Sequence, residues 1–260
     1  MSAHQIQVPA SGRRSAEDCK PIPVRPGAGT AGRIAFAVRL TVDLQLTTIW
    51  RFLAPRLRAM HGDVLDVGCG DMPFRPLLAP DVRYTGIDVA QSEGFGMAAH
   101  GDVTRFDGAH IPFADASFDH VLCTEVLEHA ARPDLLIAEM HRVLRPGGTL
   151  VATIPFSARV HHAPYDFHRF TNFQLQRMFA AFDDMRIEPR GNDVAVIANK
   201  LIVLGMRLMR PNRGLVWRLP LVLAVAPVAG LFLVGAHIAL AVRAGSTDDP
   251  LGYAIEARRA

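Results

Sequence analysis

The chain has 260 residues, half of them apolar, with a net charge of +3 and three cysteines. That length buries a substantial core in one large α/β domain with an insertion. Arginines that are scattered, or gathered only near a C-terminal apolar segment, exclude the basic stripe of a nucleic-acid-binding surface. Cys19, Cys69 and Cys123 form no Cys-x-x-Cys pair and no disulfide framework, which points to a reducing cytoplasm.

Residues 1–32 are rich in Pro, Gly, Ser and Ala and lack the apolar run of a signal peptide, so they read as a disordered tail. Residues 33–260 read as one domain. From 33 to 60, Ile34, Phe36, Val38, Leu40, Val42, Leu44, Leu46, Ile49, Phe52 and Leu53 recur at mostly helical spacing, with Gly62 as the stop. A leading helix that packs on the domain and covers its ligand site is expected; a sharper reading makes it a surface helix touching a membrane.

Short apolar runs then alternate with helical stretches. Strands are predicted at 63–67, 83–87, 97–102, 119–124 and 149–154, and helices at 73–79, 89–92 and 133–144. Arg145-Pro146-Gly147-Gly148 stops a helix and turns into the next strand. Such alternation means βαβ units and a parallel sheet, with ligands outside the carboxyl ends of the strands. Beyond it come a helix over 170–182 capped by Thr171 or Asn172, a strand at 185–188, and an apolar helix over 194–209. A basic turn at 210–214, a long apolar stretch over 215–242 and a last strand at 252–257 complete the pattern.

The chemistry begins at Val64-Leu65-Asp66-Val67-Gly68-Cys69-Gly70, a buried strand running into a glycine turn where backbone can approach a ligand closely. Asp88 closes the next strand, 20 residues past Gly68, the spacing of an acid that accepts from ribose hydroxyls. Pro73 stands where a dinucleotide site wants a third glycine, so a nicotinamide-dependent oxidoreductase is the weaker alternative. A nucleoside without pyrophosphate fits better, with S-adenosylmethionine the candidate.

VLDVGCG over 64–70, Gly101-Asp102, Ile111-Pro112-Phe113, Ser117-Phe118-Asp119 and EVLEH over 125–129, in that order and spacing, resemble class I S-adenosylmethionine-dependent methyltransferases, and in particular the large type 11 group. The resemblance covers about 60–156 and extends to Pro155–Thr171. It implies a doubly wound, mostly parallel seven-stranded sheet, Rossmann-like, here with an apolar helical insertion (194–243) before the last strand. It also implies methyl transfer to a small-molecule acceptor. The expected cofactor contacts are Asp66, Gly68, Cys69, Gly70, Asp88 with Val89, Asp102 with Val103 at the adenine, and Thr124 with Glu125 at the methionine end. Asp119, ahead of a strand, reads as a turn residue.

Glu125, Glu128 and His129 fall at i, i+3 and i+4, so one helix face is expected to carry all three. Two carboxylates and an imidazole suit a divalent ion, and some resembled enzymes use such a group with a distant histidine, here His161 or His162. Relatives carrying the same residues need no metal, so the expectation is a hydrogen-bonded cluster without one. The segment 155–171 is too polar for core and follows the fifth strand, where loops carry function. It supplies the catalytic candidates His161, His162, Asp166 and Arg169, with an imidazole as general base. Its bland reading is an Asp166–Arg169 ion pair pinning a loop. Phe156, Tyr165 and Phe167 are candidate walls for an apolar pocket.

Leu219–Val242 holds 24 residues without a charge, long enough to cross a bilayer but interrupted by Pro220, Pro227, Gly230, Gly235 and His237. One crossing would strand the last strand on the wrong side. A hairpin of 194–209 and 219–242 is therefore expected, either buried as a cap or dimer interface or held at the cytoplasmic face of a membrane. In the second case Arg207, Arg210, Arg213, Arg218 and Arg243 would face headgroups. The acceptor would then carry an apolar or lipid portion. A scaffold at a membrane that binds the cofactor without turnover is the other alternative.

Overall fold

A computed structural model describes residues 29–90, 102–210 and 214–260. The expected tail up to residue 28, Cys19, residues 91–92 and 97–101, and Pro211–Arg213 of the basic turn lie outside the described residues.

Seven strands form one sheet in the order β3-β2-β1-β4-β5-β7-β6. Five run parallel: β1 (Asp63–Val67), β2 (Arg83–Val89), β3 (Thr104–Phe106), β4 (Phe118–Thr124) and β5 (Leu144–Pro155). β7 (Gly252–Arg258) is antiparallel to both its neighbours, β5 and β6 (Asp183–Arg190). β1 lies inside the sheet, between β2 and β4, and its Val64, Leu65 and Val67 are apolar on both faces and fully buried. Alternate residues then divide the core. Val64, Leu122, Val151 and Ala254 meet Ile49, Phe52, Leu53 and Leu57 of α2 (Leu44–Ala59) on one face. Leu65, Val121, Leu150 and Ile255 meet Leu136, Ile137, Met140 and Val143 of α3 (Pro133–Val143) on the other.

The leading helical stretch is two helices, α1 (Gly29–Val42) and α2, because Asp43 caps the second: its carboxylate accepts from the Leu46 amide at 3.1 Å. α1 starts at Gly29, inside the segment expected as tail. No regular helix fills 73–79. Only a 3-10 turn at Arg75–Leu77 forms, with Leu77 and Leu78 donating to Phe74 and Arg75; Pro73, Pro76 and Pro80 leave too few amides for more. The helix over 170–182 contracts to α4 (Asn172–Met178), capped by Thr171. The third described strand is 104–106, set by pairing of Arg105 with Asp88 and Phe106 with Val89, and of the strand expected at 97–102 only Asp102 is described, in a turn.

The insertion is a helical pair, α5 (Asp193–Leu208) and α6 (Leu215–Val242). They pack antiparallel: Asn192 caps α5 through the Ala195 amide (2.9 Å) and donates to the Ala244 carbonyl (2.7 Å) beyond α6. α6 runs on through Pro220 and Pro227, which the sequence presents as interruptions. α5 leaves the sheet at the end of β6 and α6 returns to the start of β7. Both helices therefore rise from the carboxyl edge of the parallel strands.

Candidate active site

The glycine turn hangs over β2. Gly68 and Cys69 donate to the Ile87 carbonyl at 2.8 and 3.1 Å, and Gly70 donates to Asp88 Oδ2 at 2.9 Å. Gly68 has φ +69°, and a Cβ there would stand 2.5 Å from Val126 Cγ2, so only glycine fits. Asp88 Oδ1 accepts from the Val89 amide at 2.7 Å. One buried carboxylate thus ties the turn to the end of β2. A carboxylate offers about four acceptor positions, which suits a further role toward ribose hydroxyls.

Asp66 is buried beneath the turn and accepts from Tyr84 Oη at 2.7 Å. Burial raises its pKa to about 7, against the Tyr84 hydrogen bond, and the nearby Asp88 charge adds to the rise. Burial next to Asp66 and Asp88 also pushes the Cys69 thiol far up, so it is a packing group and no nucleophile. At the carboxyl end of β4, Thr124 Oγ1 is buried without a hydrogen-bond partner among the described residues. The bare turn, the acid beyond it and this orphan hydroxyl line up along the carboxyl ends of β1, β2 and β4.

Two of the expected residues are placed otherwise than the sequence suggests. Asp102, with Val103, precedes β3 instead of ending it, and its carboxylate pairs with Arg75 at 3.1 Å. The residue that ends β3 is Asp107, which sequence reasoning missed. Its Oδ1 accepts from the Ala109 and His110 amides at 2.8 and 2.7 Å. The Asp107-Gly108 dipeptide is the turn signal that marks it. Glu125 has φ +53° and turns its carboxylate to Arg190 Nη2 at 2.8 Å. Asp119, at the amino edge of the sheet, accepts from the Asp63 amide at 2.8 Å and Arg145 at 2.7 Å.

Glu125, Glu128 and His129 share no helix face, because 125–130 is a turn and α3 begins only at Pro133. Glu128 is fully buried, and burial, then the Glu125 charge, hold its carboxyl well above the usual range. His129 is brought instead to the loop that follows β5. Its Nε2 lies 3.2 Å from His161 Nε2, and its ring packs 5.3 Å from that of His162. Burial, then the neighbouring His161, lower its pKa to about 4, so it is neutral.

Asp166 and Arg169 hold this loop. Arg169 donates to both carboxylate oxygens at 2.6 and 2.8 Å, and the His161 amide donates to Oδ2 at 2.9 Å. Burial works against ionisation of Asp166, yet these bonds win and keep it below the usual carboxylate range. Phe156 packs edge-on against Tyr253, and Tyr165 against Phe167.

A 3-2-1-4-5-7-6 sheet with a glycine turn after β1 and an acid after β2 defines the class I methyltransferase fold. Residues 65–152 match the family described as Methyltransferase domain. An uncharacterized methyltransferase of Mycobacterium avium (strain 104) is 42% identical over 106 residues, 36% of this chain and 42% of that protein. A phosphatidylethanolamine N-methyltransferase of Cereibacter sphaeroides is 29% identical over 116 residues, 41% of this chain and 57% of that protein. A solved SAM-dependent methyltransferase from Archaeoglobus fulgidus shares the fold, with TM-score 0.51 and 16% identity over 86% of this chain and 99% of that one. Residues 65–152 are a class I S-adenosylmethionine-dependent methyltransferase domain of the type 11 group. The chain spans 37–42% of the length of the first relatives it matches.

Proposed function

We propose that this protein moves the methyl group of S-adenosylmethionine to a small acceptor with an apolar or lipid portion, at a membrane surface. The Gly68–Gly70 turn tied to Asp88 carries the cofactor half of this reading. Asp88 faces the ribose, Asp107 takes the adenine-side place first given to Asp102, and Thr124 meets the methionine end. The sulfonium carbon is already electrophilic. The acceptor's lone pair forms the new bond to carbon as the carbon–sulfur bond breaks, and S-adenosylhomocysteine leaves uncharged.

Little covalent work falls to the protein. Alignment of acceptor and sulfonium is worth roughly 7–11 kcal/mol in effective molarity. Positive charge leaves sulfur during the step, so the walls of Phe156, Tyr165 and Phe167 favour it by excluding water. Where the acceptor is a hydroxyl, its proton passes to an imidazole of the loop, His161 or His162.

The acceptor half rests on the helical pair. α6 is long and apolar enough, by length and composition, to cross a membrane, and most of its surface faces outward, including Val216, Trp217, Leu223, Leu231, Val234 and Val242. Ile197, Leu204 and Met206 of α5 are exposed as well, and so are Ile34, Val38 and Val42 of α1. Apolar area on this scale marks a protein or membrane contact. The arginines at the helix ends, Arg207, Arg210, Arg218 and Arg243, suit anionic headgroups. Because the pair rises from the carboxyl edge, a lipid held by it is delivered to the acceptor loop. The lipid-modifying relative from Cereibacter sphaeroides supports the same substrate class.

Calorimetry with S-adenosylhomocysteine tests the cofactor half, and transfer of radiolabelled methyl from S-adenosylmethionine to a membrane lipid extract tests the acceptor half. Labelled lipid is the expected product. Binding without transfer to lipid or soluble pools points to a scaffold. A protein that binds nicotinamide cofactor and no S-adenosylhomocysteine overturns the reading altogether.

A further inference from the structure

We infer that His129, His161 and His162, with Glu128 behind them, form a site for a divalent first-row transition ion of the zinc type. One ligand atom from each imidazole lies within 4.8 Å of the others. What argues for an ion is the way the rings are held. His129 Nδ1 lies 2.7 Å from the Tyr165 carbonyl oxygen and His161 Nδ1 lies 3.1 Å from that of Arg159. A carbonyl only accepts, so both Nδ1 atoms carry a proton, and in the neutral rings both Nε2 atoms present lone pairs.

Those two Nε2 atoms face each other at 3.2 Å. With both rings neutral, lone pairs at that separation repel, and either a proton on one Nε2 or a metal ion beside both relieves them. Around zinc, with nitrogen ligands at about 2.0–2.1 Å, neighbouring ligand atoms of a tetrahedron are about 3.3 Å apart. Glu128 Oε1 stands 3.6 Å from His129 Nε2 and 4.0 Å from His161 Nε2. Both its oxygens are buried with no hydrogen-bond partner among the described residues, an arrangement that is costly unless something charged answers it.

The surroundings agree. Asp166 Oδ2, 3.3 Å from His161 Nδ1, stands behind that ring as carboxylates stand behind metal-bound imidazoles. Three imidazoles and one carboxylate suit Zn²⁺ and its first-row neighbours and not the hard ions Mg²⁺ or Ca²⁺. The sequence led to the expectation of no metal here, and the set also differs from the metal reading it set aside, since Glu125 is turned away to Arg190 and both loop histidines stand beside His129. An ion here makes ligands of the two imidazoles assigned above as proton acceptors, so loaded and chelated protein are assayed separately.

The test uses tag-free, full-length protein stripped with a chelator, dialysed, and titrated with Zn²⁺ by calorimetry and with Co²⁺ by visible absorption. One ion per chain and the intense bands of four-coordinate Co²⁺ are expected. His129→Ala and His161→Ala should each lower affinity by about 100-fold or more, and Glu128→Gln by about 10–100-fold. S-adenosylhomocysteine binding reports whether each variant is folded; if the buried-site variants fail that check, wild type and His162→Ala decide. Wild type that takes up no stoichiometric Zn²⁺ at micromolar concentration overturns the site, as does equal affinity in the His129→Ala/His161→Ala double variant. Zinc binding without cofactor binding would instead sink the methyl-transfer reading and leave this site standing.

Discussion

Asp88 illustrates how one side chain ties the glycine turn after β1 to the end of β2. Alanine there leaves the Gly70 and Val89 amides without this acceptor and, on the function proposed above, removes the ribose partner. Affinity for S-adenosylhomocysteine should fall about 100-fold, some 2.7 kcal/mol, by calorimetry; unchanged affinity would place the ribose elsewhere. Asp66 gives a pH signature. Its folded pKa of about 7 lies above the unfolded value near 4, so the folded protein keeps a proton that the unfolded chain gives up. That contribution is whole below pH ~4 and is lost as pH rises through 7. Urea unfolding of metal-free, cofactor-free protein should show a decline of roughly 2–3 kcal/mol from this group between pH 5 and 8. Asp66→Asn should remove that decline; a variant with the wild-type slope counts against the assignment. The glycines, Asp66 and Asp88 could be read from the sequence because strand, turn and acid have a fixed spacing. Asp107 was missed because the three-residue strand before it, with an arginine at its centre, shows no alternation, although the Asp107-Gly108 turn signal was there to be read.

Elements near the site are held by Arg190, the last residue of β6. Its buried guanidinium donates to Glu125, the Thr48 hydroxyl of α2 and the carbonyls of Tyr253 and Ile154. A strand, a helix and the turn after β4 meet on that one group. Gly252 is glycine because a Cβ would run into the Arg190 guanidinium and the Ile154 carbonyl. Arg190→Ala leaves Glu125 without its cation and should cost about 3–5 kcal/mol in urea unfolding; a loss under ~1 kcal/mol would show the clamp to be ornamental. The strands were legible as apolar runs between turn residues. The contacts of Arg190 were not, because its partners Thr48 and Glu125 lie 142 and 65 residues away in the chain. The expected helix at 73–79 failed for a local reason that periodicity ignores, namely three prolines in eight residues, 73–80.

At the scale of the molecule, the sheet buries its apolar side chains under helices whereas the helical pair leaves many of its own exposed. The chain has two tryptophans. Trp50 packs with Phe36 and Phe74, whereas Trp217 near the start of α6 is 86% exposed. A Trp50→Phe variant therefore reports on α6 alone. Its emission should shift to the blue with anionic phospholipid vesicles, and the protein should float with them on a density gradient. Protein that stays at the bottom and remains monodisperse without detergent would exclude lipid contact. That both helices belong to one excursion was readable from the strand that follows them; that the excursion rises from the catalytic edge required the antiparallel placement of β7. This placement has a consequence during synthesis. β7 fills the slot between β5 and β6 only after the ribosome has made the entire apolar excursion, so the greasy pair emerges while two strand edges still stand open. A nascent chain paused after Val242 would expose both hazards together, and a nearby bilayer would relieve the first before the final strand closes the second.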